Sequence, residues 1–385
     1  MIMERIRKDF LLAPGPTPVP PEVLQVGALP LYHHRTPKFS QVVKEASEGL
    51  KYLFCTQNDV YTLTSSGTGA METAVVNLLS PGDKAVIIET GKFGERWTNI
   101  CKAYGMNPVV IKVEYGDFVT PEKLKETLDQ NSDAKAVFTQ LSETSTGSIM
   151  DIQSFGEIVS KTDAALVVDG ISGIGAQEFR MDEWKVDVAL TGSQKGLMLP
   201  PGLAFIAASK KAWAMVEKST SPKFYYDLKA AKKSLEKDTT PWTPAITLIL
   251  QLKEALGIIK KETIEGMWKR HEWLADATRN AIKVLELEPF AKNAGNVLTS
   301  VKVPDGIDGA KLVKTIRDKF GVTLAGGQGS MKGKIFRIAH LGYADRMDII
   351  VAISAIEMAL KEFGHPVKTG SGVAAAEEIL INDPF

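Results

Sequence analysis

Cysteine is scarce in this chain. Among 385 residues there are two cysteines, Cys55 and Cys101, too few for a disulfide framework and without the CxxC or Cys/His spacing that frames a metal. Both read as packed thiols, and no metal is expected. A surplus of one charge is also missing. Lys+Arg and Asp+Glu both number 46, which leaves no basic excess to neutralise nucleic-acid phosphates or an anionic membrane. No apolar run is long enough to span a membrane, and the opening "MIMERIRKDFLLAPGPTP" lacks the apolar stretch of a leader. These absences point to a cytoplasmic protein that acts on small molecules.

Where proline does cluster, in "APGPTPVPPEV", each ring fixes its own φ and disfavours helix in the residue before it, so residues 1–20 are expected to form an extended arm. From about residue 38 the pattern alternates. "FSQVVKEASEGLKYLF" has helical spacing, "DVYTLT" reads as a strand and "GAMETAVVNLL" is helical again. The strands "KAVIIET" and "NPVVIKV" flank a helix expected to start near Glu95. The apolar runs "AKAVFTQL", "AALVVDG" and "VDVALTG" follow, with helices near 121–129 and 151–161. Repeated βα alternation with fully apolar strands predicts an α/β fold whose mostly parallel mixed sheet is sandwiched by helices. Residues 21–260 are expected to form this large domain. Residues 261–385, with long amphipathic helices, the strands "GNVLTSVKV" and "GKIFRIAHLG" and a last long helix "MDIIVAISAIEMALKEFG", are expected to form a smaller α+β unit.

Ligands of open α/β sheets sit beyond the carboxyl ends of the strands. Four segments rich in small and polar residues, "SSGTG", "SETSTG", "DGISG" and "GSQKG", fall at such ends. The first leads into a helix and is either an ordinary capping turn or a phosphate cup of backbone N–H groups and hydroxyls. It is not a dinucleotide fingerprint, because Glu72 stands where a third glycine is required, and no GxxxxGK follows. Asp169 ends an apolar strand, and Lys195 follows 26 positions later, after one further helix and strand. A lysine for a Schiff base, an aspartate for a pyridine nitrogen and a phosphate cup are what pyridoxal phosphate requires. Phe93 in "TGKFGERW" offers an aromatic face, with plain core packing as the other reading.

From "LLAPGPTPVPPEVL" through "GTGAMETAVVNLL", "SETSTG", "VVDGISGIGA" and "TGSQKGLMLPPGLAF" to "GKIFRIAHLG", the order and spacing resemble the class V aminotransferases of pyridoxal-phosphate fold type I, in particular the serine–pyruvate and alanine–glyoxylate aminotransferase group. The resemblance implies that Lys195 binds pyridoxal 5′-phosphate covalently, Asp169 pairs with its pyridine nitrogen and Phe93 stacks on its ring. It places Ser66, Gly67, Thr68 and Gln194 on the phosphate and Thr144 near the ring hydroxyl. It also implies a homodimer in which Thr243 completes the phosphate site of the other subunit. Thr240 departs from relatives that carry tyrosine there. Arg337 matches the arginine that binds the substrate carboxylate, and the backbone around Gly15 would close over the same group, glycine permitting the approach.

The implied activity is ping-pong transfer of the amino group of serine or alanine to glyoxylate or pyruvate. Aspartate transamination and a lyase of the same fold are the alternatives. A desulfurase needs a cysteine in the C-terminal half, whereas Cys55 and Cys101 both lie in the first third. A partner subunit without chemistry would not need Lys195, Asp169 and Arg337 together. His33, His34 and Arg35 in "LYHHRT" read either as a surface loop or as part of the substrate entrance, with Arg35 facing a second carboxylate.

Overall fold

Seven strands form one sheet in the spatial order Val60–Thr64, Leu203–Ala208, Val188–Gly192, Ala165–Asp169, Ala136–Gln140, Lys84–Glu89, Asn107–Lys112. This architecture is seen in a computed structural model that describes residues 8–384; residues 1–7 of the expected arm and residue 385 lie outside the described residues. The five strands from Val188–Gly192 to Asn107–Lys112 pair in parallel. Leu203–Ala208 runs antiparallel to both of its neighbours, which makes the sheet mixed.

Every residue of the three central strands, Ala136–Gln140, Ala165–Asp169 and Val188–Gly192, is buried. Successive side chains of a strand point to opposite faces, and the packing divides accordingly. Val137, Leu166, Val168 and Ala189 join the core under helices Pro37–Phe54 and Ile152–Val159. Ala136, Phe138, Val167, Val188 and Leu190 join the core under helices Gly67–Leu78 and Lys92–Ala103. A sheet covered on both faces has no reason to alternate polarity, which is why the strands read as continuous apolar runs.

Three details differ from the sequence pattern. The helix expected near Glu95 begins at Lys92, because its first turn is capped from another loop. The long amphipathic stretch is broken at Thr263, whose φ is +68°, into helices Ile246–Glu262 and Ile264–Val284. Beyond helix Arg346–Glu362 a further helix, Ser371–Leu380, packs on Ile264–Val284.

In the C-terminal part, an antiparallel sheet of Leu298–Lys302, Ile335–Ala339 and Ala325–Gly326 carries Arg337 on its middle strand. Its core includes Leu12 of the Pro-rich arm together with Leu274, Ile316, Phe336 and Ile353. The arm is stitched in at both ends. Phe10–Leu11 pairs with Val322–Thr323 and Leu12 accepts from Ala339 N. Thr17 then donates from its backbone N–H to Gln194 O at 3.2 Å and from its hydroxyl to Lys195 O at 3.1 Å. The arm therefore crosses from the small sheet to the loop that holds Lys195.

Candidate active site

The carboxyl ends of the strands enclose a cavity of about 110 Å³, bordered by Ser66, Gly67, Thr68, Phe93, Thr144, Asp169, Gln194 and Lys195, together with Arg96, Ser142, Ile171 and Ser172. Eight of the sequence-derived candidates thus share one space although they span some 130 positions of chain. Three others lie outside its lining. Gly15 packs directly on the Lys195 side chain. Arg337 reaches the loop from the opposite sheet, its Nη1 donating to Thr144 O at 2.7 Å. Thr243 is exposed and borders a separate cleft with Tyr225, Trp242 and Thr240.

Each side chain is held by its local backbone. Asp169 is the last residue of its strand, and its Oδ1 accepts from Ile171 N at 2.8 Å. Burial pushes its carboxyl up to about 7, with Ile171 N–H, Arg96 and Lys195 opposing and Glu143 adding to the rise. Burial likewise pulls the Lys195 ammonium down to about 8, opposed by Asp169 and assisted by Arg337 and Arg96. Lys195 Nζ donates to Pro14 O, so the arm supplies the acceptor that keeps the amine oriented. The Thr144 and Ser172 hydroxyls share a hydrogen bond of 2.6 Å, and Ser172 donates on to Ser142 O at 3.2 Å.

At Ser66 the chain enters helix Gly67–Leu78 without a side-chain cap. The first N–H groups of a helix then face the cavity with the positive end of the dipole behind them. Gln194 Oε1 and Ser142 Oγ are buried without a hydrogen-bond partner, and such atoms are costly unless a ligand or water completes them. An anion-binding helix start, two unsatisfied polar atoms, a buried amine and a buried carboxylate fit the donor and acceptor set of pyridoxal phosphate.

Phe93 is placed by a residue that the sequence reading passed over. The Glu143 carboxylate accepts from Phe93 N at 3.1 Å, Gly94 N at 3.0 Å and Ser145 N at 3.1 Å, while Ser145 Oγ accepts from Lys92 N at 3.0 Å. The first turn of helix Lys92–Ala103 is thus capped from the "SETSTG" loop. Gly91 makes this possible, since a Cβ there would lie 2.4 Å from Ser145 Oγ. Arg96 was also missed. It sits one turn after Phe93, its Nη1 donates to Thr68 Oγ1 at 2.9 Å, and its guanidinium lies 4.7 Å from the Phe93 ring centroid. The i, i+3 relation to Phe93 was the available signal.

Arg337 is 4% exposed, and its partners are carbonyl oxygens: Thr144 O from Nη1, and Gly326 O from Nε at 3.0 Å and from Nη2 at 2.7 Å. Burial lowers its pKa to about 10, with Glu143 opposing. Three of its five N–H bonds are used. The two that remain, one on each Nη, are donors that a carboxylate can take. Arg35 is directed elsewhere, donating to Thr239 Oγ1 at 2.6 Å and Thr240 O at 2.8 Å, and His33 and His34 stack on one another.

A mostly parallel sheet with a lysine and an aspartate at its strand ends and a phosphate-type helix start between them defines the fold type I pyridoxal-phosphate enzymes. Residues 10–349 match the aminotransferase class-V family model, and the chain belongs to that family. It is an aminotransferase. Its relatives include the small subunit of a soluble hydrogenase from Synechococcus sp., 43% identical with 97% of this chain and 98% of that one covered. They also include the serine–glyoxylate aminotransferase of Methylorubrum extorquens, 36% identical over 98% of this chain and 97% of that one. Among solved structures, ureidoglycine–glyoxylate aminotransferase from Bacillus subtilis superposes with a TM-score of 0.94 at 28% identity, covering 98% of this chain and all of the other. Among the described residues no helix is long and apolar enough to cross a membrane, and no cluster of His, Cys, Asp and Glu could hold a metal ion.

Proposed function

We propose that the chain binds pyridoxal 5′-phosphate in this cavity and moves the amino group of a small amino acid, serine or alanine, to glyoxylate or pyruvate. Lys195 is the covalent attachment point, Asp169 the partner of the ring nitrogen, Phe93 the stacking face and Thr144 the neighbour of the ring hydroxyl. Ser66, Gly67, Thr68 and Gln194 hold the phosphate, completed across a cytoplasmic homodimer by Thr243. The observation that carries this reading is that a buried amine, a buried carboxylate and an uncapped helix start line one cavity.

When bound, pyridoxal phosphate supplies an aldehyde carbon that takes up an amine and a protonated ring that accepts an electron pair. The residues of the chain do the rest. Lys195, with its ammonium disfavoured by burial, gives up its proton more readily than an exposed lysine and takes and returns the α-proton. A cation beside Asp169 offsets the desolvation that otherwise keeps it protonated, so the carboxylate and a ring N–H stabilise one another. The free end of Arg337 binds the α-carboxylate and fixes which α-bond faces Lys195. Donor and acceptor acids use the same fork in turn, which makes the kinetics ping-pong. Glyoxylate as acceptor is supported by the names of both aminotransferase relatives above, whose donors differ. A subunit without chemistry would have no use for this set of buried charges.

The test follows the absorbance of the purified holoprotein. A band near roughly 410–430 nm, characteristic of a lysine-bound pyridoxal group, is expected to fall on addition of L-serine or L-alanine, to return on glyoxylate or pyruvate, and to be missing in Lys195→Ala. A band indifferent to both donors but bleached by L-aspartate would move the donor assignment to aspartate. No band after incubation with the cofactor would overturn the reading.

A further inference from the structure

Arg96 has no assigned task, yet it borders the cavity on the second turn of helix Lys92–Ala103. Its geometry is specific. The guanidinium rests over the Phe93 ring and spends one N–H on the Thr68 hydroxyl, and it forms no ion pair with a carboxylate among the described residues. Thr68 belongs to the uncapped start of helix Gly67–Leu78. The positive end of one helix and a guanidinium from the second turn of another therefore meet at the same hydroxyl. A cation so placed, with four N–H bonds to spare, satisfies itself best by an anion bound at that helix start. Its charge already extends across the site, since it opposes the rise at Asp169 and assists the fall at Lys195.

We propose that Arg96 is a cofactor-binding residue that recognises the phosphate monoester dianion directly, while its contact with Phe93 couples the phosphate end of the site to the ring face. This rests on the reading that pyridoxal phosphate occupies the cavity. It goes beyond that reading by dividing the work of recognition: the helix start orients the phosphate and Arg96 neutralises it. Lysine is a poor substitute because a point charge cannot lie flat on Phe93 and bond Thr68 together.

The experiment compares binding of pyridoxal 5′-phosphate and of unphosphorylated pyridoxal to cofactor-stripped protein, read by absorbance and by quenching of tryptophan fluorescence, for wild type, Arg96→Met and Arg96→Lys. Loss of a charge-assisted phosphate contact is expected to weaken the phosphorylated ligand roughly 10- to 100-fold, to leave pyridoxal within about 3-fold, and to be partly repaired by lysine. Arg96→Met weakening both ligands equally would show that Arg96 acts only through Phe93 and would overturn the proposal, as would no effect on either. Failure of wild type to bind the phosphorylated ligand would instead sink the cofactor reading, which separates the two.

Discussion

The Cβ that any other residue would carry at Gly15 would fall 2.3 Å from Nζ of Lys195, and φ at Gly15 is +140°. The arm therefore touches the Lys195 amine through the one residue type that both the conformation and the space allow. Gly15→Ala is expected to displace the lysine, which is the flexible partner, rather than unfold the arm, which stays anchored by Thr17 and Leu12. Misplacement by about 1 Å costs on the order of 100-fold in rate. Single-turnover bleaching by serine should slow by about that factor, with a modest fall in melting temperature from the strained backbone, and an unaltered rate would contradict the contact.

The buried charges predict how the cofactor-stripped protein responds to pH. Asp169 holds its proton up to about 7 in the folded state but only to the ordinary carboxylate range when unfolded. The folded state binds more protons across that window. The stability contributed by Asp169 is therefore fully present below about 4 and is lost as pH rises through 7. Asp169→Asn should flatten this decline, leaving the stripped variant more stable than wild type at pH 8 by up to about 4 kcal/mol, while abolishing transamination. Denaturant midpoints at pH 4, 6 and 8 measure it, and parallel curves for the two proteins would refute it.

Under the proposed function Arg337 reads a plane, not only a charge. Arg337→Lys keeps the cation but cannot serve Thr144 O, Gly326 O and a carboxylate together. KM for serine should rise roughly 10- to 100-fold. Ethanolamine, which lacks the carboxylate, should react equally slowly with both proteins. Equal damage with the two donors would mean that the substitution disturbs the site in some other way.

Two helical glycines should respond oppositely to alanine. A Cβ at Gly156, in helix Ile152–Val159, would stand 1.8 Å from Trp184 O, a backbone atom that cannot turn away. Gly156→Ala should destabilise by more than about 2 kcal/mol, as overpacking a filled core does. Gly257, in helix Ile246–Glu262, meets nothing within 4 Å, so Gly257→Ala should stabilise by roughly 0.5–1 kcal/mol. Thermal melts of both variants decide the matter.

The order of strands and helices, and the strand ends at which Lys195, Asp169 and Phe93 line one cavity, could be read from the chain because they rest on local signals. An apolar run closed by small polar residues is recorded in consecutive positions. Arg337 is singled out by the spacing of "KIFRIAH" within a resemblance that spans nearly the whole chain. Glu143 was not, since nothing in its neighbours says that its carboxylate caps a helix 50 positions away. For Arg96 the spacing from Phe93 was visible, but not its meeting with Thr68 across two helices. The antiparallel strand Leu203–Ala208 and the break at Thr263 were hidden for the same reason: one depends on which neighbours a strand finds, the other on which cores two halves of an amphipathic stretch must face. Burial and hydrogen bonding between distant segments have no period along the chain, so only the folded arrangement decides which buried charges are paired, which polar atoms are left waiting for a ligand, and where the Pro-rich arm comes to rest.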